Sequence, residues 1–285
     1  MNAITVKDAL TEASLRLTKA GCDTPSLDAE LLLAHSLTKD RTWLHTYPKK
    51  TVVPDQLSVF LDLVRRREQR EPVAYLIGHK EFFGLQFQVN QHVLIPRPET
   101  ELLVETAFQI FDSNSKIDIV DVGTGSGCIA VALARHLPRA RLLAIDVSSQ
   151  ALYLGQQNAR RHHLADRITF LSGAVLEPLA GSVDLIVSNP PYVSHLELAA
   201  GSISPEVSRY EPRFALDGGN DGLDVIRQLL PQAKEKLNAG GVLLIEIGST
   251  QGQAVRQLAK NHFPQAGIEI KKDLAGLDRL LVVKT

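Results

Sequence analysis

The chain has 285 residues with 31 basic and 32 acidic side chains, so its formal net charge at pH 7 is −1. This length holds one large domain or two unequal ones, and the balanced charge argues against a dedicated nucleic-acid-binding protein. Two cysteines, Cys22 and Cys128, make neither a disulfide framework nor a C-x-x-C metal site, and the nine histidines show no metal-ligand spacing. Residues 1–21 have no continuous apolar core and no stretch reaches membrane-spanning length, so we expect a soluble, reduced, cytoplasmic protein without a membrane segment or bound metal.

Residues 1–80 predict a small helical domain. Apolar side chains recur at helical spacing in residues 6–17 and 57–64, and another helix is expected over residues 27–37. Three arginines, at positions 65–67, follow the last apolar stripe. They fit either a contact with a partner or a solvated helix end stabilised by the helix macrodipole, and we favour the second interpretation.

Residues 81–98 predict a β-hairpin that links this helical domain to a catalytic one. The hydrophobic period changes to two through residues 83–89, as on a half-buried strand. Residues 90–91, Asn-Gln, are the expected turn, and residues 92–95 are the expected second strand.

From residue 99 to residue 285, predicted strands alternate with predicted helices. The expected strands are 117–122, 142–146, 168–171, 183–188, 242–247, 267–271 and 279–283. The expected helices include 100–111, 128–136, 149–163, 222–237 and 251–262. Alternation of this kind predicts an α/β domain in which helices cover both faces of a mostly parallel sheet.

A glycine-rich turn follows the first of these strands. Its residues are Gly123, Thr124, Gly125, Ser126 and Gly127. Glycines let the backbone approach a ligand closely, and the free N–H groups at the following helix start favour an anionic group. The next strand ends in Asp146, about 20 positions after the turn, where an acid is placed to bind ribose hydroxyls. The pattern is G-x-G-x-G, with Cys128 where a dinucleotide fingerprint has its third glycine, so a dinucleotide dehydrogenase is disfavoured.

The most informative segment is Asn189-Pro190-Pro191-Tyr192, which follows the apolar strand 183–188. Ligands bind at the carboxyl ends of strands in open α/β sheets. Neither proline has a backbone N–H, so the turn offers carbonyl oxygens, an amide side chain and an aromatic face. These groups suit a planar NH2 group, which has two donors to satisfy and a flat face to stack.

Together these features resemble the S-adenosylmethionine-dependent methyltransferases that act on planar NH2 groups. Four further segments narrow the resemblance to the bacterial peptide chain release factor glutamine N5-methyltransferases, the PrmC/HemK family. They are residues 72–78, 81–84, 94–101 and 216–223. The resemblance spans most of the chain, and the segment Ile-Pro-Arg-Pro-Glu-Thr-Glu within residues 94–101 is its most family-specific part.

The resemblance implies a Rossmann-like class I methyltransferase domain over residues 99–285, with a seven-stranded sheet and one antiparallel strand near its edge. It implies S-adenosyl-L-methionine as the cofactor and S-adenosyl-L-homocysteine as the product. The acceptor would be N5 of the glutamine in the Gly-Gly-Gln motif of peptide chain release factors. The helical domain would recognise the rest of that protein substrate.

In this interpretation the tetrapeptide performs the catalysis. Asn189 Oδ1 and the Pro190 carbonyl would each accept one N–H of the substrate amide, which fixes the nitrogen as positive charge develops there. Tyr192 would stack on the flat amide, and Pro191 completes the substrate-binding set. The alternative, an ordinary turn after a buried strand, is disfavoured by the nearby glycine loop.

The same interpretation assigns the cofactor-binding residues. Residues 123–127 would wrap the methionine portion, Asp121 would face its ammonium group through water, and Asp146 would accept hydrogen bonds from both ribose hydroxyls. Asn189 is expected to contact the cofactor as well. The alternatives are a turn cap for Asp121 and a helix-start role for Asp146.

One position departs from the family pattern. The family usually has an acidic residue after the third strand of the sheet, which holds the adenine amino group, and this chain has Ala174 there. Backbone groups of Ala174 or Val175 would substitute for it, with Val175 packing on the adenine ring. Cofactor affinity and adenine selectivity are therefore the properties in question.

Three other segments have two interpretations each. Residues 96–101 fit the border of the cofactor pocket and a stiff domain hinge equally well. Glu246 ends a predicted strand and could contact substrate or cap a turn, and we favour the cap. Residues 217–222 resemble a metal loop in composition but lack the spaced ligands of a calcium loop, so we expect a turn that leads to a helix.

Two other functions compete with the leading one. A nucleic-acid adenine methyltransferase would flip its base into the same pocket, but the balanced charge and the lack of an evident target-reading insert count against it. A non-catalytic S-adenosylmethionine sensor is suggested by Ala174. The presence of Asn189 and Tyr192 argues against it, because a sensor would not need them.

Overall fold

The computed structural model describes residues 4–285 and forms two compact units. The first contains the chain up to His79 together with Ser204–Tyr210, and the second contains Lys80–Ile203 and Glu211–Thr285. The chain therefore leaves the second unit after Ile203 and returns to it at Glu211. Ser204–Tyr210 lies in the middle of the expected catalytic domain, and no sequence pattern predicted that this segment belongs to the first unit.

Twelve α-helices lie within residues 4–285. In chain order they are α1 (Val6–Lys19), α2 (Pro25–Leu37), α3 (Arg41–Thr46), α4 (Pro54–Glu68), α5 (Val73–Ile77), α6 (Glu101–Ile110), α7 (Cys128–His136), α8 (Ser149–Arg161), α9 (His195–Ala199), α10 (Pro205–Tyr210), α11 (Asp224–Lys236) and α12 (Gly252–His262). Every helix expected from apolar periodicity is present. The sequence analysis missed α3, α5, α9 and α10, because five or six residues carry too little periodicity to be recognised. None of the helices in the described part of the chain is both long and apolar enough to cross a membrane.

The first unit packs its helices around one apolar core. The expected stripes supply its fully buried side chains, among them Leu17 of α1, Leu33 of α2 and Phe60 of α4. Helix α1 begins with a capping box in which the side chains of Thr5 and Asp8 each accept a hydrogen bond from the other residue's backbone N–H. The expectation of a helical N-terminal region is confirmed.

The arginine run at the end of α4 is only partly a solvated helix end. Arg65 is exposed, as expected, whereas Arg67 is 5% exposed. Arg67 Nε donates to Asp28 Oδ2 at 2.7 Å, and its Nη1 donates to Glu206 Oε1 at 2.9 Å. Arg70 donates to both oxygens of Glu206 as well. The expectation is wrong for Arg67, because a charged side chain is buried when it has charged partners, and its partners lie far away in the sequence.

A β-hairpin stands at the start of the second unit. Its strands, β1 (His79–Phe82) and β2 (Leu85–Gln88), pair with each other in a two-stranded sheet. The hairpin turn lies at Phe83 and Gly84, with φ values of +51° and +69°, and not at residues 90–91 as expected. Two consecutive positive φ angles are typical of a two-residue hairpin turn, whose twist matches that of the strands. The chain does turn after Asn90, whose carbonyl accepts from the Val93 N–H, but the expected second strand at residues 92–95 is wrong, because no strand forms there.

The other strands of the described chain form one seven-stranded sheet. They are β3 (Asp118–Val122), β4 (Arg141–Asp146), β5 (Ile168–Ser172), β6 (Val183–Ser188), β7 (Leu237–Glu246), β8 (Gly267–Lys272) and β9 (Asp278–Lys284). Their spatial order is β5-β4-β3-β6-β7-β9-β8, and β9 alone runs antiparallel to the other six strands. The expected seven-stranded, mostly parallel sheet with one antiparallel strand near its edge is confirmed.

Helices cover both faces of this sheet. Successive residues of β3 face opposite sides, so Ile119 is buried in one core and Val120 in the other. Both are fully buried, as is typical of parallel strands between two helical layers. Because parallel strands share a carboxyl edge, the residues at the ends of β3, β4, β6 and β7 lie together there.

Candidate active site

A cavity of about 230 Å³ lies at the carboxyl edge of the sheet. Its wall includes residues 123–126 of the glycine loop, Asp146, residues 173–175 and residues 189–191. The predicted cofactor loop and the predicted substrate turn therefore meet in one site. Three predicted site residues lie outside this wall: Asp121, Gly127 and Tyr192.

The glycine loop folds back on the end of β4. The backbone N–H groups of Gly123 and Thr124 both donate to the Ile145 carbonyl, at 2.8 and 3.0 Å. Gly123, Gly125 and Gly127 all have positive φ. At Gly127, which precedes α7, a Cβ would in addition come within 3.2 Å of the backbone of α8. A side chain at Gly127 would be strained by both effects, so glycine is needed there.

Asp121 is fully buried behind this loop. Its Oδ2 accepts a hydrogen bond from the Thr124 hydroxyl at 2.6 Å, as the alternative of a turn cap proposed. Its Oδ1 and the Ser126 hydroxyl are buried polar atoms without a hydrogen-bond partner among the described residues. Burial raises the pKa of Asp121 to about 7. Thr124 and Ser126, rather than Asp121 itself, form the surface that faces the cavity.

Asp146 lines the cavity and at the same time organises the two neighbouring loops. Its Oδ2 accepts from the backbone N–H of Gly125, and its Oδ1 accepts from that of Ser148, both at 2.9 Å. The side chain is nearly buried, and burial raises its pKa. The bond to Ser148, which precedes α8, agrees with the helix-start role that stood as the alternative, and Asp146 also lines the cavity wall.

The cavity wall also contains Ala174, the departure from the family pattern. Val175 has a φ of +49°, an unusual conformation for a β-branched residue. The next residue is tied to α11, because the backbone N–H of Leu176 donates to Gln232 Oε1 at 3.0 Å. One helical turn earlier, Gln228 lines the same cavity as Ala174. The sequence analysis missed Gln228. The only sequence signal was that Gln228 and Gln232 are four residues apart, a spacing that places both side chains on the same face of a helix.

Asn189 is held by a hydrogen bond to a residue far away in the sequence. Its Nδ2 donates to Thr100 Oγ1 at 3.0 Å. Because the amide nitrogen is engaged in this way, Oδ1 is the atom left to accept from a ligand. Pro190 and Pro191 continue the cavity wall. Thr100, which precedes α6, was not predicted as a site residue.

Glu246 does not cap a turn, and the interpretation that we favoured for it is wrong. It is 1% exposed at the end of β7. Its Oε2 accepts from the Thr100 hydroxyl at 2.6 Å, and its Oε1 accepts from the Tyr192 hydroxyl at 3.4 Å. Burial raises the pKa of Glu246 to about 7 and that of Tyr192 to about 12. The sequence analysis missed this role, because it depends on contacts between chain segments that lie far apart.

The turn at residues 217–222 packs against residues 189–193, which include the predicted substrate turn at residues 189–192. The backbone N–H of Gly218 donates to the Val193 carbonyl at 2.8 Å, and a Cβ on Gly218 would come within 2.8 Å of the Pro191 carbonyl oxygen. A Cβ on Gly222 would collide with the carbonyl oxygen of Tyr192. The side-chain amide of Gln251 also donates to that carbonyl, at 3.0 Å.

The acidic residues of this turn are engaged in ion pairs. Asp217 pairs with Arg213, and Asp221 pairs with Arg227. Within residues 4–285, no group of three or more histidine, cysteine, aspartate or glutamate side chains is arranged to hold a metal ion. The expected turn that leads to a helix is confirmed, because α11 begins directly after it.

Residues 96–101 form part of the cavity border. Pro96, Arg97 and Thr100 line it. Buried Glu211 pairs with the Arg97 guanidinium and accepts from the Ile95 backbone N–H at 3.1 Å. Of the two equally weighted interpretations, the structure supports the pocket border.

The strand order and the position of the glycine loop define the fold of the class I methyltransferases. The solved structure of the catalytic domain of hMettl16 in complex with MAT2A 3′UTR hairpin 6 has the same fold, with a TM-score of 0.55 at 17% identity. The match covers 78% of this chain and 81% of that one.

The matches to family models and curated proteins are more specific. Residues 8–78 match the family model of the PrmC N-terminal domain, and residues 98–204 match that of the methyltransferase small domain. The release factor glutamine methyltransferase of Moorella thermoacetica is 44% identical over 97% of both chains. That of Geobacter sulfurreducens is 45% identical over 84% of this chain and 82% of its own. The chain therefore belongs to the release factor glutamine methyltransferase family.

Proposed function

We propose that this protein transfers a methyl group from S-adenosyl-L-methionine to the side-chain amide nitrogen of the glutamine in the Gly-Gly-Gln motif of peptide chain release factors. The observation that carries the proposal is the fixed amide of Asn189. It lies on the wall of the cavity that the glycine loop also lines, and its Nδ2 is engaged by Thr100. The sequence relatives support a protein glutamine as the acceptor, and the alternative of nucleic-acid adenine is not favoured.

The polar groups that line the cavity fit the cofactor. Ser126 lines the cavity, and its buried hydroxyl has no hydrogen-bond partner among the described residues, a costly arrangement that a polar ligand group relieves. Residues 123–127 would hold the methionine portion and Asp146 the ribose. When bound, S-adenosyl-L-methionine supplies a methyl group on a positively charged sulfur. We assign no role to a metal.

Ala174 leaves the adenine amino group without the usual acid. Gln228 shares this part of the wall, and its side-chain amide has both a donor and an acceptor. We propose that it supplies the hydrogen bonds to the adenine edge, with Val175 packing on the ring. An amide can pair with adenine through both groups at once.

The residues of the substrate turn would position the acceptor nitrogen. Asn189 Oδ1 and the Pro190 carbonyl would accept the two N–H groups of the glutamine amide. An amide nitrogen is a poor nucleophile, so fixing its direction contributes much of the rate. These oxygens also stabilise the positive charge that develops on the nitrogen. The Tyr192 ring would stack on the amide as the substrate enters, and Pro191 would complete the binding surface.

The helical unit would recognise the body of the release factor. We propose residues 1–80 as this recognition domain, residues 81–98 as the linker and residues 99–285 as the methyltransferase domain. Because the proposed substrate belongs to the translation machinery, we also propose a cytoplasmic location, which cell fractionation would test.

A methyl-transfer assay with labelled S-adenosyl-L-methionine tests the proposal. Purified release factor and adenine-containing DNA and RNA would be offered in parallel, and the acceptors mapped by mass spectrometry. Label on the glutamine of Gly-Gly-Gln is expected. Label on nucleic acid alone would contradict the proposal, and cofactor binding without any transfer would favour a sensor.

A further inference from the structure

We propose that Thr100 and Glu246 are positioning residues that set the orientation of the Asn189 amide, so that its oxygen rather than its nitrogen faces the substrate. This inference rests on the proposed function, because it concerns the acceptance of substrate N–H groups by Asn189. Both residues are buried, with exposed fractions of 2% for Thr100 and 1% for Glu246.

The argument follows the direction of two hydrogen bonds. A threonine hydroxyl has one proton to donate. Thr100 donates it to Glu246 Oε2 at 2.6 Å, so toward Asn189 the hydroxyl can only accept. Asn189 must therefore turn its NH2 group to Thr100, at 3.0 Å. This leaves Oδ1 for the substrate.

Reversal of the hydrogen bond between Thr100 and Glu246 would also reverse the hydrogen bond between Asn189 and Thr100. If Glu246 is protonated, it can donate to Thr100, and the Thr100 hydroxyl can then donate to Asn189 Oδ1. The Asn189 amide would then present its NH2 group to the NH2 group of the substrate, and both groups are hydrogen-bond donors. Two donors repel each other, and the acceptor nitrogen would no longer be held.

The surroundings of Glu246 make this reversal accessible near neutral pH. Charged and titratable groups near Glu246 are Glu99, which precedes Thr100 in the sequence, and Tyr192, Cys128 and Arg279. Desolvation raises its pKa to about 7, and Glu99 acts in the same direction, while Arg279 and the two hydroxyl donors act against it. The ionised form, which orients Asn189 correctly, therefore predominates above about pH 7 and is lost as the pH falls below it.

The test is a pH profile of methyl transfer to a Gly-Gly-Gln protein for the wild type and four variants. Glu246→Gln cannot ionise, yet its amide oxygen can still accept from Thr100. We expect wild-type kcat to fall about tenfold per pH unit below the pKa of Glu246, and the Glu246→Gln profile to be flat across that range. Thr100→Val should lower kcat about 10²-fold with cofactor affinity unchanged, whereas Thr100→Ser should retain kcat within about threefold.

Thr106→Val is the matched control, because Thr106 is a fully buried threonine of α6 that does not line the cavity. A Glu246→Gln profile that falls like that of the wild type would overturn the inference, as would equal kcat values for Thr100→Val and Thr106→Val. If Thr100→Val does not fold, the Glu246→Gln profile decides alone. A wild type that methylates no Gly-Gly-Gln protein at any pH would instead refute the proposed function.

Discussion

Buried charged side chains of the helical unit and buried acids at the active site are stabilised in opposite ways. In the helical unit, buried Arg67 lies between Asp28 and Glu206, so opposite charges neutralise one another. In the methyltransferase unit, Asp121 and Glu246 are just as buried, yet neither takes part in an ion pair within residues 4–285. Neutral hydroxyl groups hold them instead.

This difference separates stability from function. A paired buried charge stabilises the arrangement around it, and loss of one partner leaves the other uncompensated. An unpaired buried acid is destabilising, so its retention beside a cavity indicates a functional role. Single substitutions can test whether the paired and the unpaired buried charges differ in this way.

The largest effect is expected for Arg67→Ala. The substitution leaves Asp28 buried without its cation, which should cost about 3–5 kcal/mol of unfolding free energy, whereas Glu206 keeps its pair with Arg70. Urea unfolding followed by circular dichroism measures it. The control is Arg65→Ala, because the Arg65 side chain is 68% exposed and its ion pair should contribute about 0–1 kcal/mol. Equal losses for both variants would mean that the buried cluster does not stabilise the helical unit.

Asn189→Ala should show the opposite behaviour, a loss of function without a loss of stability. Removal of an acceptor for the substrate NH2 should lower kcat by about 10²–10³-fold. Cofactor affinity, measured by calorimetry with S-adenosyl-L-homocysteine, should remain largely intact. Asn261→Ala on the exposed face of α12 should change neither quantity. Strongly weakened cofactor binding with transfer preserved at saturation would contradict the catalytic assignment.

Gly222→Ala tests whether the turn at residues 217–222 positions the substrate turn. Gly222 and Gly240 have φ values of +77° and +76°, so alanine strains the backbone equally at both. Only at Gly222 would the new Cβ collide with the Tyr192 carbonyl, since nothing lies within 4 Å at Gly240. Gly240→Ala should therefore cost about 1 kcal/mol of stability alone, whereas Gly222→Ala should also reduce kcat by at least about tenfold. Similar kcat values for Gly222→Ala and Gly240→Ala would argue against a positioning role for the turn at residues 217–222.

Asp121→Asn should stabilise the protein at higher pH. The pKa of Asp121 is raised to about 7, so the folded state binds a proton more readily than the unfolded state. Wild-type stability is therefore lost as the pH rises through that pKa, and asparagine removes this loss. The gain should be about 1–3 kcal/mol larger at pH 8 than at pH 5. A gain that does not depend on pH would show that ionisation of Asp121 is not its cause.

Ala174→Asp should give the smallest effect. A carboxylate at this position restores an acceptor for the adenine amino group and should tighten S-adenosyl-L-homocysteine binding about tenfold, or about 1.4 kcal/mol. Gln228→Ala should weaken binding by a similar factor. The matched ligand is S-inosyl-L-homocysteine, which lacks the amino group, and the gain from Ala174→Asp should vanish with it. An equal gain for both ligands would indicate a non-specific effect of the new side chain.

The sequence by itself determined the features that depend on short stretches of chain. Buried strands appear as continuous apolar runs, and the helix after the glycine loop has the bounds that its periodicity predicted. The glycine loop, Asp146 and the substrate turn each follow a strand, so parallel topology alone brings them to one edge. For that reason most of the cavity wall could be predicted.

Only the tertiary structure decided how the polar atoms of the site are paired. Asn189 lies 89 positions from Thr100, and Glu246 lies 146 positions from it. Burial of Arg67 likewise depends on Glu206, 139 positions away. A buried polar side chain needs a partner, but no local pattern shows which distant residue the fold will supply. The orientation of Asn189, and with it the chemistry of the site, is therefore a property of the folded chain.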